Sequence, residues 1–197
     1  MAAGNKTDEK IIQSAMELFA RRGYHSTSIR DITDKVGLTK PAIYAHFQNK
    51  AAIGRKIIQL YETNYVDRLI QMVNDQPGNA LEKLHRAINW ASEFGKSNLY
   101  LMMAFLSLKD ELRTDPEFEL LLTGARIKHE AFIYDLFRLG IRQGLLKKNL
   151  DARVLTSLHM ALIRGLFQEW SDTRHQLDGK EFTRTYRTIF FHGIEAS

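Results

Sequence analysis

The sequence predicts an all-α protein of about nine helices, and two observations carry this prediction. Apolar residues recur at intervals of three and four over most of the 197 residues, while alternation of polar and apolar residues never extends far enough to indicate a strand. Proline marks helix boundaries: Pro41 and Pro116 stand in first turns, and Pro77 with Gly78 breaks the chain between two helices. The sequence shows no internal repeat and no low-complexity tract.

Two short helices are predicted close together in the N-terminal part of the chain. The hydroxyl of Thr27 or Ser28 can accept from the free N–H groups of a helix start, and apolar residues at three- and four-residue spacing follow. This pattern predicts a helix over about 28–36. Gly37 ends it, because glycine adopts the left-handed conformation at little cost.

The next helix is predicted over about 40–47. Thr39 is its N-cap, and the missing N–H of Pro41 is no loss in a first turn. Ile43 and Phe47 lie four apart and can pack against the preceding helix. The outer face then carries Lys40, Ala42, Tyr44 and His46. Such a pair can lay its second helix in the major groove of DNA, although an ordinary helical hairpin with a solvated face fits the spacing equally well.

The distribution of charge favours nucleic acid. Residues 1–56 contain ten Lys or Arg against five Asp or Glu, whereas residues 57–197 contain eighteen of each sign. The whole net charge of +5 therefore lies in the part that carries the two short helices. A module that binds a polyanion requires such an excess of positive charge.

Six further helices are predicted from caps, breaks and apolar periodicity. Asp151 caps one of them, and Gly144 ends the one before it. Their approximate ranges are 51–74, 80–95, 99–106, 116–142, 151–170 and 179–194.

The residue types disfavour several classes of protein. The chain has no Cys, which excludes disulfides and thiolate nucleophiles, and its seven His never fall three or four apart. It also lacks a glycine-rich phosphate loop and a Gly-x-Ser-x-Gly motif, so we expect no catalytic residue, metal or cofactor. No segment approaches the roughly 18 consecutive apolar residues of a membrane span, and we therefore expect a cytoplasmic protein without membrane contact.

Residues 11–57 resemble the N-terminal domain of the tetracycline-repressor (TetR) family of bacterial regulators. The matching elements are Ala15, Leu18 and Phe19, then Gly23-Tyr24, Thr27-Ser28, Asp31-Ile32, Gly37-Leu38, Tyr44, His46-Phe47 and Asn49-Lys50. The resemblance covers roughly a quarter of the chain. It implies a helix-turn-helix DNA-binding domain over 1–52 and an effector-binding and dimerisation domain over 53–197.

The resemblance also implies roles for individual residues on DNA. The positions that meet base edges or the adjoining sugar-phosphate are Lys40, Pro41, Ala42 and Tyr44. Those that hold phosphates are Ser28, Thr39, Tyr44, His46 and Lys50. Arg30 matches a position that reaches a guanine in some members, but arginine is also common there as a surface residue. The ring of Pro41 could touch a thymine methyl or simply begin the helix.

In this family the two final helices pair with those of a second subunit. The candidates here are Leu155, Leu158, His159, Leu162, Leu166, Phe167, Trp170, Phe182, Tyr186, Ile189, Phe190 and Gly193. Internal core is the alternative for any one of them. A dimer would bind DNA better than a monomer, because two recognition helices about 34 Å apart can contact successive major grooves.

The larger part of the chain is rich in aromatic and flexible apolar residues. A pocket for a small hydrophobic or aromatic effector could be lined by Trp90, Phe94, Tyr100, Met103, Phe105, Phe118, Leu122, Phe132, Phe167 and Trp170. The alternative is plain core, which is the commoner role of each of these residues taken singly. His129 and His159 are among the polar residues that could orient such a molecule.

The resemblance implies a homodimeric transcriptional regulator that binds double-stranded DNA at a palindromic operator. Repression with release by a small effector is the family's usual outcome and is not deduced from the residues. The alternative is an all-helical small-molecule carrier or enzyme that does not bind DNA, in which the positive charge of the N-terminal region has no functional role. The charge distribution and the residues from Gly37 to Lys50 favour the regulator.

Overall fold

The computed structural model describes residues 2–173 and 178–195, and over these it contains nine helices and no strand. The prediction of an all-α fold is confirmed. The helices are α1 (Ala2–Arg22), α2 (Ile29–Val36), α3 (Lys40–Tyr44), α4, α5 (Ala80–Ser97), α6 (Leu99–Leu112), α7 (Pro116–Arg142), α8 (Ala152–Asp172) and α9 (Gly179–Ile194). The fourth is a continuous rod with α-helix at Lys50–Tyr61, π-helix at Glu62–Asp67 and α-helix at Arg68–Asn74.

Two predicted boundaries differ from the structure. Helix α3 ends at Tyr44 rather than near residue 47, because the N–H groups of His46 and Phe47 both donate to the carbonyl of Ile43 in a tighter turn. Helix α6 extends six residues beyond the predicted end at 106. Leu108 and Leu112 continue its buried face, and Lys109 and Glu111 between them are good helix formers.

The chain forms two compact units. The first consists of Met1–Tyr65 and Asn98–Ala125, that is α1 to α3, the first part of α4, α6 and the start of α7. Helix α6 packs across both α1 and α4. The core of this unit includes Ile11, Phe19, Ile32, Ile43, Ile53, Leu108 and Phe118, all fully or almost fully buried. The predicted functional division at residue 52 falls inside α4 and stays a prediction.

The second unit consists of Val66–Ser97 and Arg126–Ser197. Helices α5 and α9 pack antiparallel in it through three successive contacts: the ring of His85 with that of Phe191, Asn89 with Arg187, and Ser92 with Thr183. The core includes Leu84, Ile88, Ile133, Phe137, Leu155 and Ile194. Among the described residues, no helix is long and apolar enough to cross a membrane.

Candidate nucleic-acid interface

Ser28 begins α2 with a reciprocal cap. Its hydroxyl accepts from the N–H of Asp31 at 3.2 Å, and the Asp31 carboxylate accepts from the N–H of Ser28 at 2.7 Å. The hydroxyl and backbone N–H of Ser28 also lower the pKa of Asp31, because both donate to its charged form. The two orphan donors at the start of the helix are thereby satisfied, and the entry into α2 is fixed.

The turn between α2 and α3 follows from two residues. Gly37 has φ +74°, and both its N–H and that of Leu38 donate to the carbonyl of Thr33, which closes the end of α2. Thr39 then caps α3, with its hydroxyl 3.4 Å from the N–H of Ala42. The local sequence therefore sets the angle at which α3 leaves the body of the unit.

The predicted base-reading residues lie on one outward face. Lys40 and Pro41 are exposed, Ala42 is half-buried, and 49% of the Tyr44 surface is exposed. Ile43 is fully buried, so the opposite face of α3 is anchored in the core. An exposed phenol beside a lysine suits a groove lined by phosphates and base edges.

Lys50 has two partners within the protein. Its ammonium donates to the carbonyl oxygens of Tyr24 and Thr27, at 2.8 Å each, and lies 4.1 Å from the centroid of the Tyr24 ring. Burial lowers the pKa of Lys50, partly offset by the carboxylates of Glu111 and Asp31. The side chain therefore ties the start of α4 to the 24–27 turn, and its predicted phosphate contact stays a prediction.

Two other predicted contact residues also have partners. The Nδ1 atom of His46 lies 2.6 Å from a carboxylate oxygen of Asp8 in α1. Arg30 is largely exposed and forms a loose pair with Asp34, 3.8 Å away, one turn along α2. Exposed pairs of this kind contribute little to stability, so either side chain can exchange its partner for a phosphate.

Glu111 is the residue of this region that sequence reasoning missed. From α6 it accepts hydrogen bonds from the N–H groups of Tyr24 and His25 and from the hydroxyl of Ser107. The turn also passes close to it at Gly23, where φ is +88° and an added Cβ would lie 2.7 Å from a Glu111 oxygen. No local pattern marks a partner that lies almost ninety residues away, so only the structure reveals this contact.

The predicted interface residues of α8 and α9 differ in exposure. Leu158, Leu162 and Ile189 are exposed, and Val154, which was not predicted, is exposed one turn before Leu158. Leu166, Phe182 and Phe190 are half-buried, whereas Leu155, His159, Phe167 and Tyr186 are buried. The side chain of Trp170 lies outside the described residues.

The residues predicted to line an effector pocket are divided between the two compact units. Tyr100, Met103, Phe105, Phe118 and Leu122 belong to the first unit, and Trp90, Phe94, Phe132 and Phe167 belong to the second. In the first unit Phe105 stacks on Tyr61 with ring centroids 3.5 Å apart. In the second, Phe167 fills the space over Gly95. The ligand role of all of them stays a prediction.

The buried histidines of the second unit form a polar contact inside its core. The Nδ1 of His159 lies 2.8 Å from the hydroxyl of Tyr186. Burial lowers the pKa of His159 to about 3, with a smaller contribution from His129, and burial lowers the pKa of His129 to about 4. Among the described residues, no group of three or more His, Asp or Glu side chains is placed to hold a metal ion.

Comparison with known proteins agrees with this geometry. Residues 11–56 match the model of the family described as bacterial regulatory proteins, tetR family. The chain is 23% identical over 196 residues to the HTH-type transcriptional repressor KstR2 of Mycolicibacterium smegmatis, covering 96% of this chain and 91% of that protein. The match to IcaR of Staphylococcus epidermidis, a negative regulator of a biofilm operon, is 34% identical over 67 residues, which are 34% of this chain and 36% of IcaR.

A solved structure extends the similarity over almost the whole chain. The transcriptional regulator FadR from Bacillus subtilis, in complex with stearoyl-CoA, superimposes with a TM-score of 0.78 at 20% identity, covering 94% of this chain and 98% of that one. The shared architecture is the all-α fold with an N-terminal helix-turn-helix. Residues 11–56 therefore match the tetR family of bacterial regulatory proteins, and the whole chain shares the fold of the regulator FadR.

Proposed function

We propose that this regulator is a homodimeric repressor that binds a near-palindromic operator through α3 and is released by a small hydrophobic or aromatic effector. The observation that carries the DNA-binding part is the outward face of α3, with Lys40, Pro41 and Tyr44 exposed above a buried Ile43. This face lies in the part of the chain that holds the entire positive excess. The protein acts where bacterial DNA lies, in the cytoplasm.

The dimeric part rests on an apolar stripe. Val154, Leu158 and Leu162 follow one another at intervals of four on α8, and each is between 40% and 56% exposed. Ile189 on α9 is 71% exposed. Large apolar side chains in a continuous exposed row mark an interaction surface, and a second copy of the same helices is the partner that buries them symmetrically.

The effector part rests on the apolar composition of the larger domain and on its relatives. The structure of FadR from Bacillus subtilis is a complex with stearoyl-CoA. Two curated relatives are named as a repressor and a negative regulator, which supports repression. An effector that changes DNA affinity by about 5- to 150-fold would supply a coupling free energy of about 1–3 kcal/mol.

The test is selection of DNA from a random duplex library by the purified chain. We expect enrichment of a near-palindrome whose half-sites lie about one or two helical turns apart, with centres about 34 Å or a multiple apart. Fluorescence anisotropy on the selected duplex then measures release by fatty acids, sterols and small aromatic compounds. Enrichment without symmetry would overturn the dimeric part, and absence of any enrichment at low salt would overturn DNA binding itself.

A reporter assay distinguishes repression from activation. With the selected operator placed over a promoter, a repressor lowers expression and added effector restores it. Expression that rises with the regulator would instead support activation, the role that the name of another relative states, the HTH-type transcriptional activator FasR of Mycolicibacterium smegmatis.

A further inference from the structure

A groove of about 270 Å³ opens between α5 and α9 in the second compact unit. It is lined by His85, Arg184, Arg187, Thr188, Phe191, His192 and Glu195. None of the residues predicted to contact DNA, effector or a second subunit is among them. The groove is larger than a single inorganic ion needs.

The lining carries an excess of positive charge. Two guanidinium groups and two imidazoles face a single carboxylate, that of Glu195. Arg184 lies on the open side and is already paired with Glu181, one turn away on the same helix. The net charge of the groove therefore depends mainly on Arg187. Within the lining, Glu195 is the one carboxylate that can offset this charge.

Arg187 has hydrogen-bonding capacity that the described residues leave unused. Its Nη1 donates to the Oδ1 of Asn89 at 3.1 Å, which holds the guanidinium across the seam between α9 and α5. Its Nε is buried, and no acceptor in the described part of the chain reaches it. A buried charged donor without an acceptor is costly, and a planar guanidinium is well matched to the oxygens of a carboxylate or phosphate.

The two histidines differ in what they offer to an anion. The Nδ1 of His192 donates to the carbonyl oxygen of Thr188 at 2.7 Å, so the neutral ring has no further N–H to offer. The ring of His85 stands edge-on to Phe191, with centroids 4.3 Å apart. Burial and the charge of Arg187 lower the pKa of His85, and Glu195 opposes them. An anion in the groove would raise that pKa.

We propose that this groove binds a small oxyanion, the phosphate or carboxylate group of a metabolite, with Arg187 as its main partner and Arg184 as a further donor. Phe191 offers an apolar wall to the organic part of such a molecule. Because the anion would join the side chains of α5 and α9, its binding stabilises the second unit. The inference is independent of the proposed operator and effector.

The first test is titration of the full chain with inorganic phosphate and, separately, with acetate, at ionic strength held constant with chloride. The pKa of His85, followed by NMR of its imidazole C–H, should rise with one of the two anions and thereby identify the preferred group. Arg187→Gln should weaken binding about tenfold or more, since a hydrogen bond to a charged group contributes about 1.5–3 kcal/mol. Arg138→Gln, the same change at an exposed arginine of α7 paired with Asp135, should leave binding unchanged.

A second variant keeps the test decisive if Arg187→Gln does not fold. Glu195→Gln removes the carboxylate that competes for the guanidinium, so it should tighten binding by roughly threefold, an effect that loss of structure cannot imitate. The proposal is overturned if neither anion moves the pKa of His85, if Glu195→Gln fails to tighten binding, or if the two arginine variants weaken it equally.

Discussion

The carboxylate of Glu111 accepts a hydrogen bond from the backbone N–H of Tyr24, with 2.8 Å between nitrogen and oxygen, although the two residues are 87 positions apart. The N–H of His25 donates to the other oxygen at 2.7 Å. Burial alone would raise the pKa of Glu111, but the hydrogen bonds from His25, Ser107 and Tyr24 outweigh it and the pKa is lowered. The carboxylate thus holds the turn before α2 in its charged form.

Glu111→Gln should lower the free energy of unfolding by about 1–2 kcal/mol. The amide offers one acceptor oxygen in place of two and turns its NH₂ group towards a backbone donor, which leaves an N–H of the turn unsatisfied. Urea denaturation of the variant measures the loss. Asp110→Asn is the matched control, because it makes the same change of charge at an exposed neighbour on α6. Equal losses in the two variants would show that charge alone is responsible.

Acid should destabilise the protein through the buried histidines. Their pKa values of about 4 for His129 and about 3 for His159 lie below the ordinary 6.5, so the unfolded chain binds more protons and stability falls as pH drops from about 6.5 towards 4. Two protons give a slope of up to about 2.7 kcal/mol per pH unit.

His159→Phe should remove about half of that slope, measured from urea midpoints at several pH values. Replacement of the exposed His192 by Gln should leave the slope unchanged. A variant and a wild-type protein with the same pH dependence would contradict the assignment of the buried pair.

Lys50 and Lys40 should differ in what they contribute on DNA. Lys50→Ala should weaken binding to all sequences similarly, and it should also cost about 1–2 kcal/mol of stability, because the carbonyls of Tyr24 and Thr27 lose their donor. Lys40→Ala should change which sequences are preferred at little cost in stability. Selection from a randomised operator, with thermal denaturation beside it, separates the two effects. Identical behaviour would refute the division between positioning and reading.

Salt should weaken operator binding steeply. If each subunit neutralises about four phosphates, a dimer covers about eight, and the logarithm of affinity should fall with the logarithm of salt concentration at a slope of about −7. Fluorescence anisotropy over a series of KCl concentrations gives this slope. Tight binding with a shallow slope would count against the set of phosphate contacts.

Leu158→Glu should convert the proposed dimer to a monomer and abolish tight operator binding. The substitution places a charge in the middle of the exposed apolar stripe of α8, where two copies of it would face each other. Leu120→Glu is the control, since it makes the same change at a leucine of α7 that is 81% exposed and lies off that stripe. Sedimentation velocity distinguishes a monomer from a dimer. If the Leu158→Glu protein stays dimeric, the dimer interface does not lie on this stripe of α8.

Structural features that depend on neighbouring residues could mostly be predicted from the sequence. The caps at Ser28 and Thr39, the left-handed glycine between them and the long helix from Pro116 to Arg142 all follow from neighbouring residues, and the structure confirms them. Each depends on contacts within a few positions along the chain, which residue type and spacing can express.

Contacts between distant residues lay beyond such reasoning. Nothing near Lys50 shows that its ammonium turns towards the 24–27 turn, and nothing near Glu111 shows its role in holding the same turn. The exposure of Val154 depends likewise on which face of α8 the rest of the unit covers. Charge distribution and helix amphipathicity can be predicted from the sequence. Which distant residue a side chain contacts depends on the packing of the whole chain.

The π-helical turns at Glu62–Asp67 have a consequence for sequence length in α4. Buried residues recur at intervals of four through this region, at Ile57, Tyr61, Tyr65, Leu69 and Val73. A regular α-helix drifts by about 40° over each such interval, and the wider turns reduce that drift. An insertion or deletion of one residue here would rotate every later side chain of the rod by about 100°. Natural homologues should therefore vary in composition along this segment far more readily than in the number of its residues.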